Sequence, residues 1–180
     1  MSRIGKKTIV LPSKVEFNYN VDTNLVKVKG PLGELSLTLD KHVTIKQESN
    51  ELNLVVENEK NKFQRAIWGT NRALVYNMIV GVSEGYKKDM ELNGVGYKME
   101  LKDSLLTLYI GFSHTVPVII PDAIKLTLVK NLLTGHSSDK QLIGNFFNTI
   151  HNMKPCDPYK GKGFKFPGRY YRRKVVKKTK

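Results

Sequence analysis

A single cysteine and four histidines among 180 residues leave little from which to build chemistry. Cys156 has no internal disulfide partner and cannot supply a thiolate cluster for zinc, which points to a reducing compartment and a metal-free chain. His42, His114, His136 and His151 include no pair at the i, i+4 spacing that sets two ligands on one helix face. Long apolar runs are also missing. Nothing approaches the roughly 20 residues of a membrane span, and "MSRIGKKTIV" lacks the apolar centre of a secretory signal, so a cytoplasmic protein is expected. "GVGYK" (94–98) and "GKGFKFPG" (161–168) are glycine-rich but have neither the P-loop spacing nor that of a dinucleotide-binding turn. Ser113 and His114 are adjacent, yet a nucleophile and its base meet across a fold and need a third, orienting group. No catalytic residue, metal or cofactor is expected.

What is plentiful is positive charge, unevenly placed. The formal net charge is +14, but residues 8–153 carry 16 basic and 15 acidic groups and are nearly neutral. Arg3, Lys6 and Lys7 crowd the start, and residues 154–180 hold eleven cations against the single acid Asp157. Cations packed this densely repel one another and gain most when phosphates displace their counterions, so a polyanion is the natural partner.

Pro158–Lys180 adds a second feature: five aromatics, Tyr159, Phe164, Phe166, Tyr170 and Tyr171, threaded between ten cations with no acid. A merely solvated segment mixes charge signs and avoids rings. Cations hold phosphates, rings stack on unpaired bases, and Gly161, Gly163 and Gly168 allow close backbone approach. The alternative for the rings is that some, Tyr159 and Phe164 foremost, pack back on the fold and only the last dozen residues reach out. With a helix ending by Pro155, little of the core is expected beyond it, so removing 159–180 is expected to leave the fold intact.

Period-two alternation at Val15, Phe17 and Tyr19, then at Leu35, Leu37 and Leu39, with turn residues at "GPLG" (30–33), "DKH" (40–42) and "QESNE" (47–51), predicts an antiparallel meander over 15–57. From Phe63 the spacing becomes helical, with Ala66, Ile67, Ala73, Leu74 and Met78 as the apolar face and Gly81 as the stop. The second half repeats the plan. Strands flank the Asn93-Gly94 and Lys102-Asp103 turns, "TVPVII" and "IKLTLV" follow, and a helix carries Leu142, Ile143, Phe146, Phe147, Ile150 and Met153. "GTNRALVYNM" (69–78) and "GNFFNTIHNM" (144–153) share Gly, Asn and Met at matching positions. The expected fold is α+β: two tandem similar units, each a small antiparallel sheet with one packed helix, plus an extended basic C-terminal tail. The expected boundaries are 1–81, 82–157 and 158–180.

In order from Met1, the stretches "MSRIGKKTI", "GPLGEL", "WGTNRALVYNMIVGV", "LNGVGYKMEL", "GFSHTV", "DKQLIGNFF" and "PYKGKGF" followed by "RRK" resemble the bacterial L-six family of large-subunit ribosomal proteins. The resemblance implies two tandem α+β units and a place in the cytoplasmic ribosome. It implies binding to large-subunit rRNA mainly through the C-terminal unit, near the base of the acidic stalk and the translation-factor site, beside other large-subunit proteins. Carried over, it implies RNA-facing roles for Tyr159, Lys160, Gly161, Lys162, Gly163, Arg172, Arg173 and Lys174, and a further approach to RNA by Gly94, Tyr97, Lys98, Ser113 and His114. Lys165, Arg169, Lys177 and Lys178 complete the expected contacts of the basic tail. The chain departs from the family at Arg169, where an acid is usual, at Val175-Val176 in place of a small pair, at Thr115 in place of Pro, and at Phe147 where Ala is frequent. The rival readings are an RNA-processing enzyme, which needs a cleft with a perturbed acid or base, and a polybasic membrane-surface protein, which needs an apolar stripe that "RRKVVKKTK" scarcely supplies. No membrane and no small-molecule substrate are expected.

Overall fold

Alternation makes the strands: Val26 and Val28 are fully buried while Lys27 and Lys29 between and beside them face water. The computed structural model describes residues 2–48 and 50–175; Lys177 and Lys178 lie outside the described residues. The chain divides into two compact units, the first ending at Gly85 and the second beginning at Tyr86, with Ser138–Lys140 grouped with the first.

In the first unit, β1 (Ile9–Val10), β2 (Glu16–Asn20), β3 (Leu25–Gly30), β4 (Gly33–Thr38), β5 (Val43–Glu48) and β6 (Glu51–Val56) precede α1 (Lys62–Ser83). They form two antiparallel three-stranded sheets, β2-β3-β4 and β1-β6-β5, not the single meander expected. The missing link is β1, two residues long, which crosses back to pair Ile9 with Leu52 and Val10 with Glu51. Asn61 caps α1, its side-chain oxygen accepting from the Phe63 amide.

The face of α1 that enters the core is not the one expected. Trp68, Val75, Ile79 and Val82 are buried with Met78, whereas Ala66 is exposed and Ile67, Ala73 and Leu74 are half-buried. The helix carries two apolar stripes, and the buried one is disguised by Gln64, Asn71 and Arg72. Arg72 is tolerated inside because its guanidinium donates to the carbonyls of Lys7 at 3.0 Å and Thr8 at 3.3 Å. Gly81, the expected stop, lies buried within the helix; α1 ends at Ser83, and Gly85, with φ +80°, sends its amide back to the Val80 carbonyl.

The second unit runs β7 (Tyr86–Asn93), β8 (Lys98–Lys102), β9 (Leu105–Tyr109), β10 (Val116–Ile119), β11 (Lys125–Val129), β12 (Leu132–Ser137), α2 (Lys140–Met153) and β13 (Gly163–Lys165). Again there are two antiparallel sheets, β8-β9-β10 and β11-β12-β7-β13. The Phe147 ring is fully buried and sits over Gly135, where an added Cβ would come within 2.5 Å of it. That missing side chain is what makes room for the departure at 147.

Beyond Pro155 the expectation fails. Phe164 is fully buried with Met90, Leu92, Phe147 and Ile150 in the core, and its strand β13 extends the sheet by pairing with β7, Gly163 opposite Asn93 and Lys165 opposite Glu91. Phe164 alternates with polar neighbours over only three residues, too short a run to stand out as a strand within a basic segment. The second unit is therefore not complete at its helix, because Phe164 belongs to its core and β13 to its sheet.

Candidate nucleic-acid interface

The segment after α2 is organised by its only acid. Asp157 receives the Gly161 amide on its carbonyl at 2.9 Å and donates its own amide to the Lys162 carbonyl at 2.7 Å. Its carboxylate accepts from the amides of Lys160 at 2.9 Å and Tyr159 at 3.1 Å. Those two bonds, the Lys160 one first, hold the carboxyl below the usual aspartate value. The acid is thus occupied in shaping the turn from which Tyr159 and Lys160 project, both exposed.

Two glycines are required here. Gly163 has φ +119° and lies so close to the 154–155 backbone that a Cβ would sit 2.5 Å from the Pro155 carbonyl oxygen. Gly161 has φ +69°, and the Arg173 guanidinium occupies the space a Cβ would take, at 3.0 Å.

After β13 the chain doubles back. The Phe166 amide donates to the Tyr171 hydroxyl at 3.0 Å, the Arg169 amide to the Phe166 carbonyl at 3.2 Å, and the Lys174 amide to the Pro158 carbonyl at 2.9 Å. Arg172, Arg173 and Lys174 are thereby laid beside the 157–161 turn, and Arg172 and Arg173 line a cleft of about 150 Å³ there together with Cys156, Asp157, Lys165 and Tyr171. Lys160, Lys162, Lys165, Arg169, Arg172, Arg173 and Lys174 form no ion pair among the described residues. Their cations lean instead on rings: Lys174 Nζ lies 5.9 Å from the Tyr159 centroid and Arg169 Cζ 5.7 Å from that of Tyr171.

The five rings divide. Phe164 is core, and Phe166 is half-buried, stacked on His151 at 5.2 Å with Lys88 Nζ 5.1 Å from its centroid. Tyr171 is half-buried with its hydroxyl bonded. Only Tyr159 and Tyr170, 52% and 87% exposed, are free to stack on a partner. Of the two rings expected to pack back, Phe164 does and Tyr159 does not.

The second group of candidates is partly joined to this segment. Gly94 adjoins Asn93, the partner of Gly163, and the Tyr97 ring fills the space over Gly94 and Gly111, 2.7 and 3.0 Å from where their Cβ atoms would be. Ser113 and His114 are exposed in the loop between β9 and β10. Lys98 stands apart: its ammonium is 2.6 Å from Glu100, and the bond raises the lysine pKa and lowers the glutamate's. Lys88, His151, Lys154 and Phe112 were not among the residues expected to face RNA. Lys154 opens the basic run that the charge count marks, whereas Lys88 lies on a strand with no local signal.

The family model described as ribosomal protein L6 matches the chain twice, over residues 11–85 and 93–166. The chain is 43% identical over 178 residues, 98% of each chain, to the large ribosomal subunit protein uL6 of Staphylococcus saprophyticus. Against the proteins of the same name from Listeria monocytogenes and Dictyoglomus thermophilum the identities are 43% over 180 residues and 39% over 178, again covering 98% of each chain.

Proposed function

The chain belongs to the ribosomal protein L6 family, and on that premise we propose that it binds large-subunit rRNA through the folded segment 157–174 of its second unit. It is a structural, non-enzymatic component of the large subunit of the cytoplasmic ribosome. The observation that supports the RNA-binding reading is the set of seven cations between Lys160 and Lys174, held by a turn and a returning segment and engaged in no ion pair among the described residues.

Such an arrangement suits phosphate. Each cation brought to the RNA backbone releases condensed counterions, and a preformed loop loses little entropy on docking. Arg172 and Arg173 offer planar forks to phosphate oxygens, Tyr159 and Tyr170 offer rings to unpaired bases, and Lys177 and Lys178 extend the same charge. The position near the base of the acidic stalk and the translation-factor site, with other large-subunit proteins as neighbours, is part of this proposal and rests on the resemblance of motifs.

Ultraviolet cross-linking within large subunits purified through high-salt gradients tests the reading. Cross-linked peptides should come from 157–174. A cross-link map confined to residues 16–56 would overturn it.

A further inference from the structure

Away from the 157–174 segment, the second unit exposes a second cluster of rings and charge. Phe112, in the loop between β9 and β10, is 47% exposed, too open for a core residue. His114 lies 5.8 Å away, centroid to centroid, with its ring plane only 10° from that of Phe112. Lys154, the first residue after α2, brings its ammonium within 5.0 Å of the Phe112 centroid.

The cluster is fixed from both sides. Gly111 enters the loop with φ +81° against the Tyr97 ring, and Ile110 before it is buried. Lys154 is anchored through its carbonyl, which accepts the Phe164 amide at 3.0 Å. A parallel phenyl and imidazole left half in water, with a cation beside them, form a ready surface for another flat ring that carries a negative group. A nucleotide is such a partner, and only an unpaired one presents a free face, because bases within a duplex are already stacked.

We propose that Phe112, His114 and Lys154 form a stacking platform for one unpaired RNA base, with the Lys154 ammonium on its phosphate. The proposal rests on the reading that this unit binds RNA, and adds to it a single-stranded or bulged nucleotide at a second place.

The test uses the full chain with two probes, a ten-nucleotide oligoadenylate and a ten-base-pair RNA duplex. Phe112→Leu and His114→Leu, made separately, should each weaken oligoadenylate binding roughly tenfold while duplex binding stays within about twofold. In the unaltered chain, the ring resonances of Phe112 and His114 should shift on adding oligoadenylate and stay in place with duplex. Unmoved rings, unchanged oligoadenylate affinity in either variant, or equal losses on both probes would each overturn the platform. The double variant Arg172→Ala, Arg173→Ala separates the two readings. If it weakens binding of both probes while the platform variants do nothing, the platform alone falls; if it weakens neither, the RNA reading of the 157–174 segment falls instead.

Discussion

The two units are the same design finished differently at one edge. Ile9 opposite Leu52 in the first corresponds to Met90 opposite Leu133 in the second, all four buried. The Leu11 amide reaches the Asn50 carbonyl at 2.8 Å, as the Leu92 amide reaches that of Asn131 at 2.9 Å. Trp68, Asn71, Arg72 and Val75 on α1 fall in register with Ile143, Phe146, Phe147 and Ile150 on α2, and all eight are buried. The free edge of the first strand then diverges. In the second unit β7 is eight residues long and is covered by β13. In the first, β1 is two residues long, Pro12 stands where Asn93 does and offers no amide, and Arg72 caps the carbonyls of Lys7 and Thr8. One edge is closed by a side chain; the other is closed by a strand that carries the cationic segment with it.

The comparison is broken most completely by removing what covers the second edge. A chain stopped after Lys162 should lose hydrogen-exchange protection in α2 while α1 keeps its own, and Phe164→Ala should cost about 3–5 kcal/mol by opening the core. Equal protection of both helices in the truncated chain would mean that β13 is dispensable. Next in size, Gly135→Ala should force the Phe147 ring aside at about 1–3 kcal/mol, read from denaturant unfolding of the second unit. In the first unit the corresponding residue is Leu54, and Arg72 stands in the place of Phe147.

Arg72→Met should cost less, about 1 kcal/mol, since Lys7 and Thr8 are exposed and water replaces the guanidinium. Its signature is local: faster amide exchange around Ile9 and Val10 with the second unit unaffected. A global loss of several kcal/mol would show that the arginine holds far more than an edge.

The smallest effect is in the Asp157 turn. Because its folded pKa lies below the ordinary value of 3.8, its contribution is fully present above that value and is lost as pH falls through the lower folded one. The Tyr159 and Lys160 amide resonances should therefore titrate with a midpoint below 3.8. A midpoint at or above it would contradict the bonded turn.

Much of this was legible in the sequence. Alternation exposed most strands, the shared Gly, Asn and Met revealed the repeat, and charge counting found the region 154–180. What was hidden depends on distance along the chain. A two-residue strand such as β1 has no period of its own and exists because Glu51 and Leu52 pair with it. The buried face of α1 was masked because Arg72 is satisfied by carbonyls more than 60 residues away in sequence. Phe164 and Tyr159 were both candidates to pack back, and only burial against Leu92 and Phe147, a tertiary fact, decides for Phe164. The same folding-back separates exposed Tyr159 from buried Phe164, which no composition could rank.

The central claim is that the folded cationic segment of the second unit is a phosphate clamp. Its most direct test is the salt dependence of binding to a large-subunit rRNA fragment, for the full chain and for a variant with Lys160, Lys162, Arg172, Arg173 and Lys174 each changed to Gln. With each phosphate contact contributing roughly 0.7–0.9 to the slope, the plot of log affinity against log salt should flatten by about 3.5 to 4.5 units, with α2 still protected from exchange. A slope altered by less than about one unit in a folded variant would show that these cations do not hold the RNA.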